Sequence, residues 1–561
     1  MHFKYNDLEE KYGEYGHSQV YTQFNNSCGI FCQLLGSDKY YPCKDIFGSH
    51  FTSRINYPTI TNHFWIKNFL YGCNYRLDEY MHHFGILMSD GNCDSDHLGP
   101  EEKSTKLKII EKKPKFRCFN HWCAGLAGLS AAEYLVKNGI ENVAVLEAKH
   151  TIGGRIYTRF VKGNPLEMGA QWIHGTEIVN NVFNFAVKNQ LINDEQCRTI
   201  QGPVLLPDGN LVDKYLVSQL FQEIKSVEKA ESNDSLEMEM EKEFKIIAEK
   251  FTLQDRGVLK KVFNSYKIQK MFTEGDELNK ITSRSDYQTF PCDLDITGGL
   301  NRLVDAIAFN VEESRILKNH QVLNIDYSKS NILIKVKTGN EIKYFKARFV
   351  ICTVSLGFLK ENFANLFTPQ LPERKLTAIN RLVFGRGVKI FLFYNTPFWK
   401  KNNLLKLKIG LSNGDYAKGY KNWVYRVGFF EEVADCPNVL LTSVFGDVAK
   451  EVELMSDFEI NEKLTNLLRN YTSDYTLPKA DQIIKSKWIT DEFVLGTYSV
   501  PGIDSDRGDF DIIGESLPDF NSPKLLFAGE ATSRTHHSTM HGARESGVRE
   551  AMRIVGQIRA N

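Results

Sequence analysis

Along residues 124–139, AGLAGLSAAEYLVKNG, apolar side chains return at Leu126, Leu129, Leu135 and Val136. That spacing predicts one apolar face of a helix, with Gly139 as its stop. The run NVAVLEA that follows is apolar at nearly every position until Glu147, the pattern of a strand buried on both faces in a parallel sheet. The stretch before the helix, KFRCFNHW, carries Arg117, Asn120 and His121 where a central parallel strand should be apolar, and it predicts a poor first strand. Farther on, residues 226–251 are charge-rich at helical spacing and read as a solvated helix. Residues 456–471 open with Ser456 and Glu459 at the spacing of a capping box. Near the end, KLLF (524–527) reads as a short buried strand leading into a helix whose first turns carry Glu530, Thr539 and Gly542.

Length and charge narrow the class. A chain of 561 residues accommodates several domain-sized units or one large two-domain enzyme. Lys plus Arg equals Asp plus Glu at 69 each, so no global field favours nucleic acid or an anionic membrane as a partner. No apolar run approaches the roughly 18 to 20 residues of a membrane span, and neither end reads as a signal peptide, an anchor or a peroxisomal address. The expectation is a soluble, cytoplasmic protein. Seven of the eleven cysteines and eight of the fourteen histidines precede residue 124. In that segment CGIFC, Cys43 and His50 match no familiar zinc spacing, so free thiols and no metal site are expected. Cytoplasmic residence argues against disulfides. Residues 89–108 read as a linker, and residues 1–118 as an atypical N-terminal extension outside the enzyme fold, as if an altered exon join had replaced the true first strand.

The helix opening also carries candidate chemistry. A dinucleotide fingerprint, G-x-G-x-x-G, would fall on Cys123, Gly125 and Gly128, so two of its three glycines are present. A left-handed backbone at Cys123 costs about 1 to 2 kcal/mol, against about 12 kcal/mol for a cofactor held at nanomolar strength. Glu147 lies 19 residues after Gly128, where a carboxylate would hold a ribose hydroxyl. TIGGRIYTR adds Gly153, Gly154 and Arg155, a turn with a guanidinium able to meet a pyrophosphate. LEMGAQWIHG (166–175) sets glycines around an aromatic and a histidine, as where backbone approaches a flat ring closely. Taken singly, Lys389 on its apolar strand would be an edge or snorkelling residue, and His174, Trp172 and Tyr498 ordinary core or surface side chains.

In their order, AGLAGLSAAEYL, GGRI, GAQWIHG, ITGGLNRLVDAIA, VSLGFLK, VKIFLFYNTPFW, GTYS and FAGEATS…HSTMHGA resemble the flavin-dependent amine oxidases, and within them the animal polyamine oxidases, over about residues 123–557. The resemblance implies an α/β fold with a discontinuous Rossmann-like FAD-binding domain (119–175, 292–365 and 500–561) interleaved with an α+β substrate-binding domain (176–291 and 366–499). It implies FAD bound noncovalently, since no cysteine follows Cys436 to take a covalent flavin. Gly125, Ala127 and Gly128 would face the pyrophosphate with Arg155 nearby, Glu147 the adenosine ribose, and Val322 the adenine through its backbone. Gly169, Ala170, Gln171 and Trp172 would line the isoalloxazine, and Glu530, Thr539 and Met540 the ribityl and pyrimidine end. Lys389 matches the family's lysine that bonds a water beside flavin N5, where desolvation should lower its pKa. His174 would orient the amine or take its proton, with Trp172, Tyr498 and Thr539 also at the substrate. His536 and His537 stand where relatives often have Lys-Tyr or Tyr-Tyr, which leaves the substrate's shape near the flavin edge open. The implied reaction oxidises a secondary amine of spermine, spermidine or an acetylated form and passes the electrons to oxygen. Alternatives are a monoamine oxidase, a lysine demethylase, or a non-catalytic flavin or polyamine binder on account of Cys123 and the poor strand.

Overall fold

A computed structural model of the chain describes residues 117–121 and 124–560, apart from 178, 193–196, 198–201, 225–233, 285, 289–291 and 401–405. Cys123 and everything before residue 117 lie outside the described residues, and with them the zinc, linker and extension readings. For Arg117–His121 the backbone alone is described.

The apolar run Val143–Leu146 forms strand β2, buried at all four positions. Arg117–His121 forms β1, which pairs in parallel with β2 on one side and with β3, Glu341–Cys352, on the other. The segment with the unpromising composition therefore occupies the middle of the sheet. Two parallel neighbours satisfy its backbone groups, and strand preference depends on such context more than on side-chain type. From one edge, the sheet runs Phe367–Thr368, Gln321–Asp326, Ile332–Thr338, β3, β1, β2 and Ile316–Leu317, with Leu525–Phe527 also paired to β3.

Helix α1, Leu126–Lys137, follows β1 directly, and Gly139 just beyond it takes a φ of +78°. A second helix, α2 (Met540–Ala560), crosses it so closely that a Cβ on Gly547 would stand 2.1 Å from the carbonyl oxygen of Ala127. Leu129, Leu303 and Ile554 belong to one apolar cluster with these helices, while Ile334, Phe358 and Ile379 belong to another that includes Ala144 and Leu146 of β2. The large sheet is thus covered on both faces, as parallel sheets require.

The second sheet runs Gln482–Lys485, β4 (Gly387–Phe393), Cys436–Phe445, Phe429–Val433, Lys406–Ile409 and Val204–Leu205. Strand β4 is buried at every position and has antiparallel partners on both sides, so Lys389 lies in the sheet interior and not on an edge. The charge-rich stretch gives a helix over Leu236–Glu249 capped by Ser235, and the Ser456–Glu459 capping box opens the helix Asp457–Thr472. No helix of the described residues is long and apolar enough to cross a membrane.

One expectation is overturned. Cys197 and Cys292 form a disulfide, with Cα atoms 5.0 Å apart. The argument against disulfides rested on an assumed compartment, whereas bridging requires only that the fold bring two Cα atoms within reach. Here the fold does so, because Gly175 donates to the Cys292 carbonyl and brings residue 292 to the segment that continues toward Cys197.

Beneath the second sheet, Arg426 pairs with Glu277 at 3.0 Å and donates to the Tyr416 carbonyl, with both charged side chains at or below 1% exposure. Removing one partner strands the other charge. Replacing Arg426 by Leu should destabilise the protein by about 3 to 5 kcal/mol, read as a lower denaturant midpoint. A midpoint within experimental error of the unaltered protein would show that the pair contributes nothing.

Candidate active site

The cofactor end is built from bare backbone. Gly125 precedes α1 in an extended conformation with no side-chain cap, and the helix has no acidic residue in its first turn. The Gly153 amide donates to the Ala124 carbonyl at 2.6 Å, and a Cβ on Gly154 would lie 3.3 Å from the Gly125 Cα. Two glycine turns therefore meet at an uncapped helix N-terminus, a ready site for pyrophosphate. Glu147 is buried beside it, its carboxylate accepting the amides of Ala124 at 2.5 Å and Lys149 at 2.8 Å. The Glu147 carbonyl accepts the His320 amide, which brings the segment leading to Val322 alongside.

The residues expected around the ribityl chain make a network of their own. Arg155 donates to Glu530 at 2.8 Å and to the Thr497 carbonyl at 2.8 Å, and Glu530 also accepts the Ser499 hydroxyl and the Ser538 amide. Arg155 and Glu530, placed by the sequence at different parts of the cofactor, are thus each other's partners. The Thr539 hydroxyl donates to the His536 carbonyl at 2.7 Å and accepts the Gly542 amide at 3.0 Å, so it caps the start of α2. Val322 and Met540 are buried in apolar clusters, which leaves their backbone to meet a ligand.

Lys389 stands where β4 meets the glycine-rich segment. Its ammonium donates to the carbonyls of Glu167 at 3.0 Å and Gly169 at 2.8 Å and to the Gln171 side-chain oxygen at 2.7 Å, and the residue is 8% exposed. Gly169 admits no side chain, since a Cβ there would stand 1.9 Å from the Arg155 carbonyl oxygen. Ala170 is held in the same turn by its amide, which donates to that carbonyl at 3.1 Å.

The next residues form an aromatic wall. Trp172 lies edge-on to Phe272 at 6.1 Å, Phe272 to Phe445 at 5.4 Å, and Phe445 beside Tyr498 at 6.4 Å. The Tyr498 hydroxyl donates to the Phe272 carbonyl, and burial raises its pKa far enough to keep it neutral. Gly275 lets the ring in, because a Cβ there would meet it at 2.6 Å.

His174, 6.4 Å from Trp172, is on the two-stranded ribbon of Ile173–His174 with Asp293–Leu294, and its Nδ1 is 2.6 Å from the Asp293 carboxylate. His541 lies close enough to feel His174, and burial takes its pKa down to about 3. Sequence reading missed Asp293, Phe272 and Phe445. An acid 119 positions from His174 carries no periodic or motif signal until the ribbon pairs the two.

Known proteins give this geometry its context. The family model for flavin containing amine oxidoreductase matches residues 126–555. The human peroxisomal N(1)-acetyl-spermine/spermidine oxidase is 29% identical over 479 residues, covering 77% of this chain and 93% of its own. The anon-37Cs protein of Drosophila melanogaster is 28% identical over 483 residues, covering 82% of this chain and 94% of its own. A rice lysine-specific histone demethylase 1 homolog is 30% identical over 453 residues, covering 77% of this chain but 53% of its own. Among solved structures, a putrescine oxidase bound to putrescine aligns with a TM-score of 0.60 at 16% identity, covering 78% of this chain and 99% of its own. The bare glycine cradle with its buried acid fits a flavin dinucleotide, and the chain belongs to the flavin containing amine oxidoreductases as an FAD-dependent amine oxidase.

Proposed function

We propose that the protein oxidises a secondary amine carbon of a polyamine such as spermine, spermidine or an acetylated form. The product is an imine, which water splits to an aldehyde and a shorter amine while oxygen is reduced to hydrogen peroxide. The observation that carries this reading is the buried Lys389 ammonium bound to the segment 167–171, next to an aromatic wall with a histidine–aspartate pair at its end. The resemblance to the human oxidase, whose name specifies acetylated spermine and spermidine, supports the substrate class.

When bound, FAD accepts the hydride from the substrate carbon. The amine must first lose its proton, because an ammonium has no lone pair to stabilise the forming iminium. The Asp293 carboxylate accepts the Nδ1–H of His174, which leaves Nε2 with a lone pair to take that proton. Trp172, Phe272 and Tyr498, grouped in the aromatic wall, would offer π faces to a cationic nitrogen elsewhere on the polyamine. Lys389 fixes the carbonyls of Glu167 and Gly169, part of the segment that would line the flavin ring, and it keeps exchangeable protons on its ammonium.

Adding spermine to the FAD-loaded protein should release peroxide, and Lys389→Met should lower turnover by about a hundredfold while FAD remains bound. Unchanged turnover in that variant removes Lys389 from the reaction. Oxidation of a monoamine or a methylated lysine peptide in place of every polyamine would move the substrate class.

Asp293→Asn reverses the tautomer preference of His174. Its kcat/KM should drop about tenfold to a hundredfold with FAD still bound. An unchanged kcat/KM would confine Asp293 to structure.

Burial raises the Glu147 pKa to about 7, opposed by the Lys149 and Ala124 amides and the Lys149 charge and reinforced by Asp491. Because the folded value lies above the ordinary one, stability from the protonated form is complete at acid pH and fades as pH rises through about 7. A ribose hydroxyl needs the carboxylate. The affinity of the apoprotein for FAD should therefore rise up to about tenfold per pH unit below neutrality and then level off. Glu147→Gln should flatten that dependence, and an equal slope in the variant would assign it to another group.

A further inference from the structure

A cavity of about 360 Å³ lies apart from the residues assigned to the cofactor and is lined by four arginines, Arg284, Arg381, Arg507 and Arg534. They come from four segments that backbone contacts lock together. Thr282 donates to the Pro501 carbonyl at 3.2 Å, and Ile503 to that of Lys280 at 3.1 Å. Gln288 donates to the Thr535 carbonyl at 2.9 Å, and a Cβ on Gly502 would sit 2.4 Å from the Arg381 carbonyl oxygen.

The ion pairs around the cavity are long. Arg507 and Arg534 share Asp286 at 3.8 and 3.5 Å, Arg534 reaches Asp511 at 3.3 Å, and Arg381 reaches Asp509 at 3.8 Å. Each distance exceeds the roughly 2.7 to 2.9 Å of a charge-assisted hydrogen bond. Arg284 forms no ion pair with any described residue, and its Nε is buried with no hydrogen-bond partner. Three carboxylates, those of Asp286, Asp504 and Asp506, line the same space, and Asp509 and Asp511 reach Arg381 and Arg534 beside it, so the donor left without a partner is that of Arg284. A planar guanidinium fork fits the two oxygens of a carboxylate or phosphate, and a buried donor left unbonded is costly.

We propose that this cavity binds an oxyanion, the phosphate or carboxylate group of a small molecule, with Arg284 as its central donor. The volume lies within the range of small-ligand sites, about 300 to 1,000 Å³. The inner wall is His537, whose ring stacks on Phe510 at 4.6 Å and faces Tyr287 at 5.2 Å, so a ligand here would touch a side chain that adjoins Ser538 and Thr539.

The test is calorimetric titration of the FAD-loaded protein, whose cofactor site is filled, with orthophosphate and separately with succinate at low ionic strength. One saturable site per chain is expected for at least one of them. Phosphate alone would identify a phosphate-bearing ligand, and succinate alone a carboxylate-bearing one. Arg284→Gln should weaken binding about tenfold or more with the flavin spectrum unchanged, whereas Arg559→Gln on the exposed end of α2 should have no effect. Arg381→Gln serves as a second variant if Arg284→Gln fails to fold. Absence of saturable binding by both anions, or undiminished binding in the variants, would overturn the proposal. Because the readout is heat of anion binding and not amine turnover, its outcome is independent of the polyamine reading.

Discussion

A lysine ammonium inside a sheet has to be satisfied by oxygens it can reach, and the position of Lys389 follows from that requirement. Its neighbours on β4, Val388 and Ile390, offer nothing polar, so the charge is bonded across to the carbonyls of Glu167 and Gly169 and the side chain of Gln171. These bonds join the sheet that carries the lysine to the glycine-rich segment that leads into Trp172 and His174. A hydrogen bond to a charged group contributes about 1.5 to 3 kcal/mol, so each acceptor matters to the position of the ammonium. The segment is thereby held in one conformation, and the aromatic wall and the histidine follow from it.

A second constraint acts at the cofactor end. There the requirement is the absence of atoms: Gly125, Gly153 and Gly154 bring two turns together where side chains would collide, and the helix N-terminus is left open. Charged side chains nearby are already bonded within the protein, Arg155 to Glu530 and the Glu147 carboxylate to two amides. A binding site assembled this way presents backbone dipoles to its ligand and little mobile charge, which favours a fixed geometry over adaptability.

Much of this site could be read directly. The helical face of Leu126, Leu129 and Leu135, the buried run Val143–Leu146, the capping box at Ser456 and the glycines of GAQW each rest on spacing within a few residues, and local spacing is what periodicity reports. β1 reads poorly for the same reason, since its place depends on partners more than 20 and 200 positions away. The Cys197–Cys292 bridge, the His174–Asp293 pair and the Arg155–Glu530 pair have separations of 95, 119 and 375 residues, and no local pattern encodes them. Thr539 has a part that its motif did not signal, since its hydroxyl caps the backbone of its own helix start.

What the sequence by itself determined was the family: short motifs at fixed spacings, in their order along the chain, resemble the flavin-dependent amine oxidases, and the flavin and the amine follow from that resemblance. Which groups meet was decided only by the tertiary structure. The partner of His174, the acceptors of Lys389 and the arginines around the second cavity come from segments far apart in the chain, and the packing of two sheets, not the order of residues, sets the distances between them.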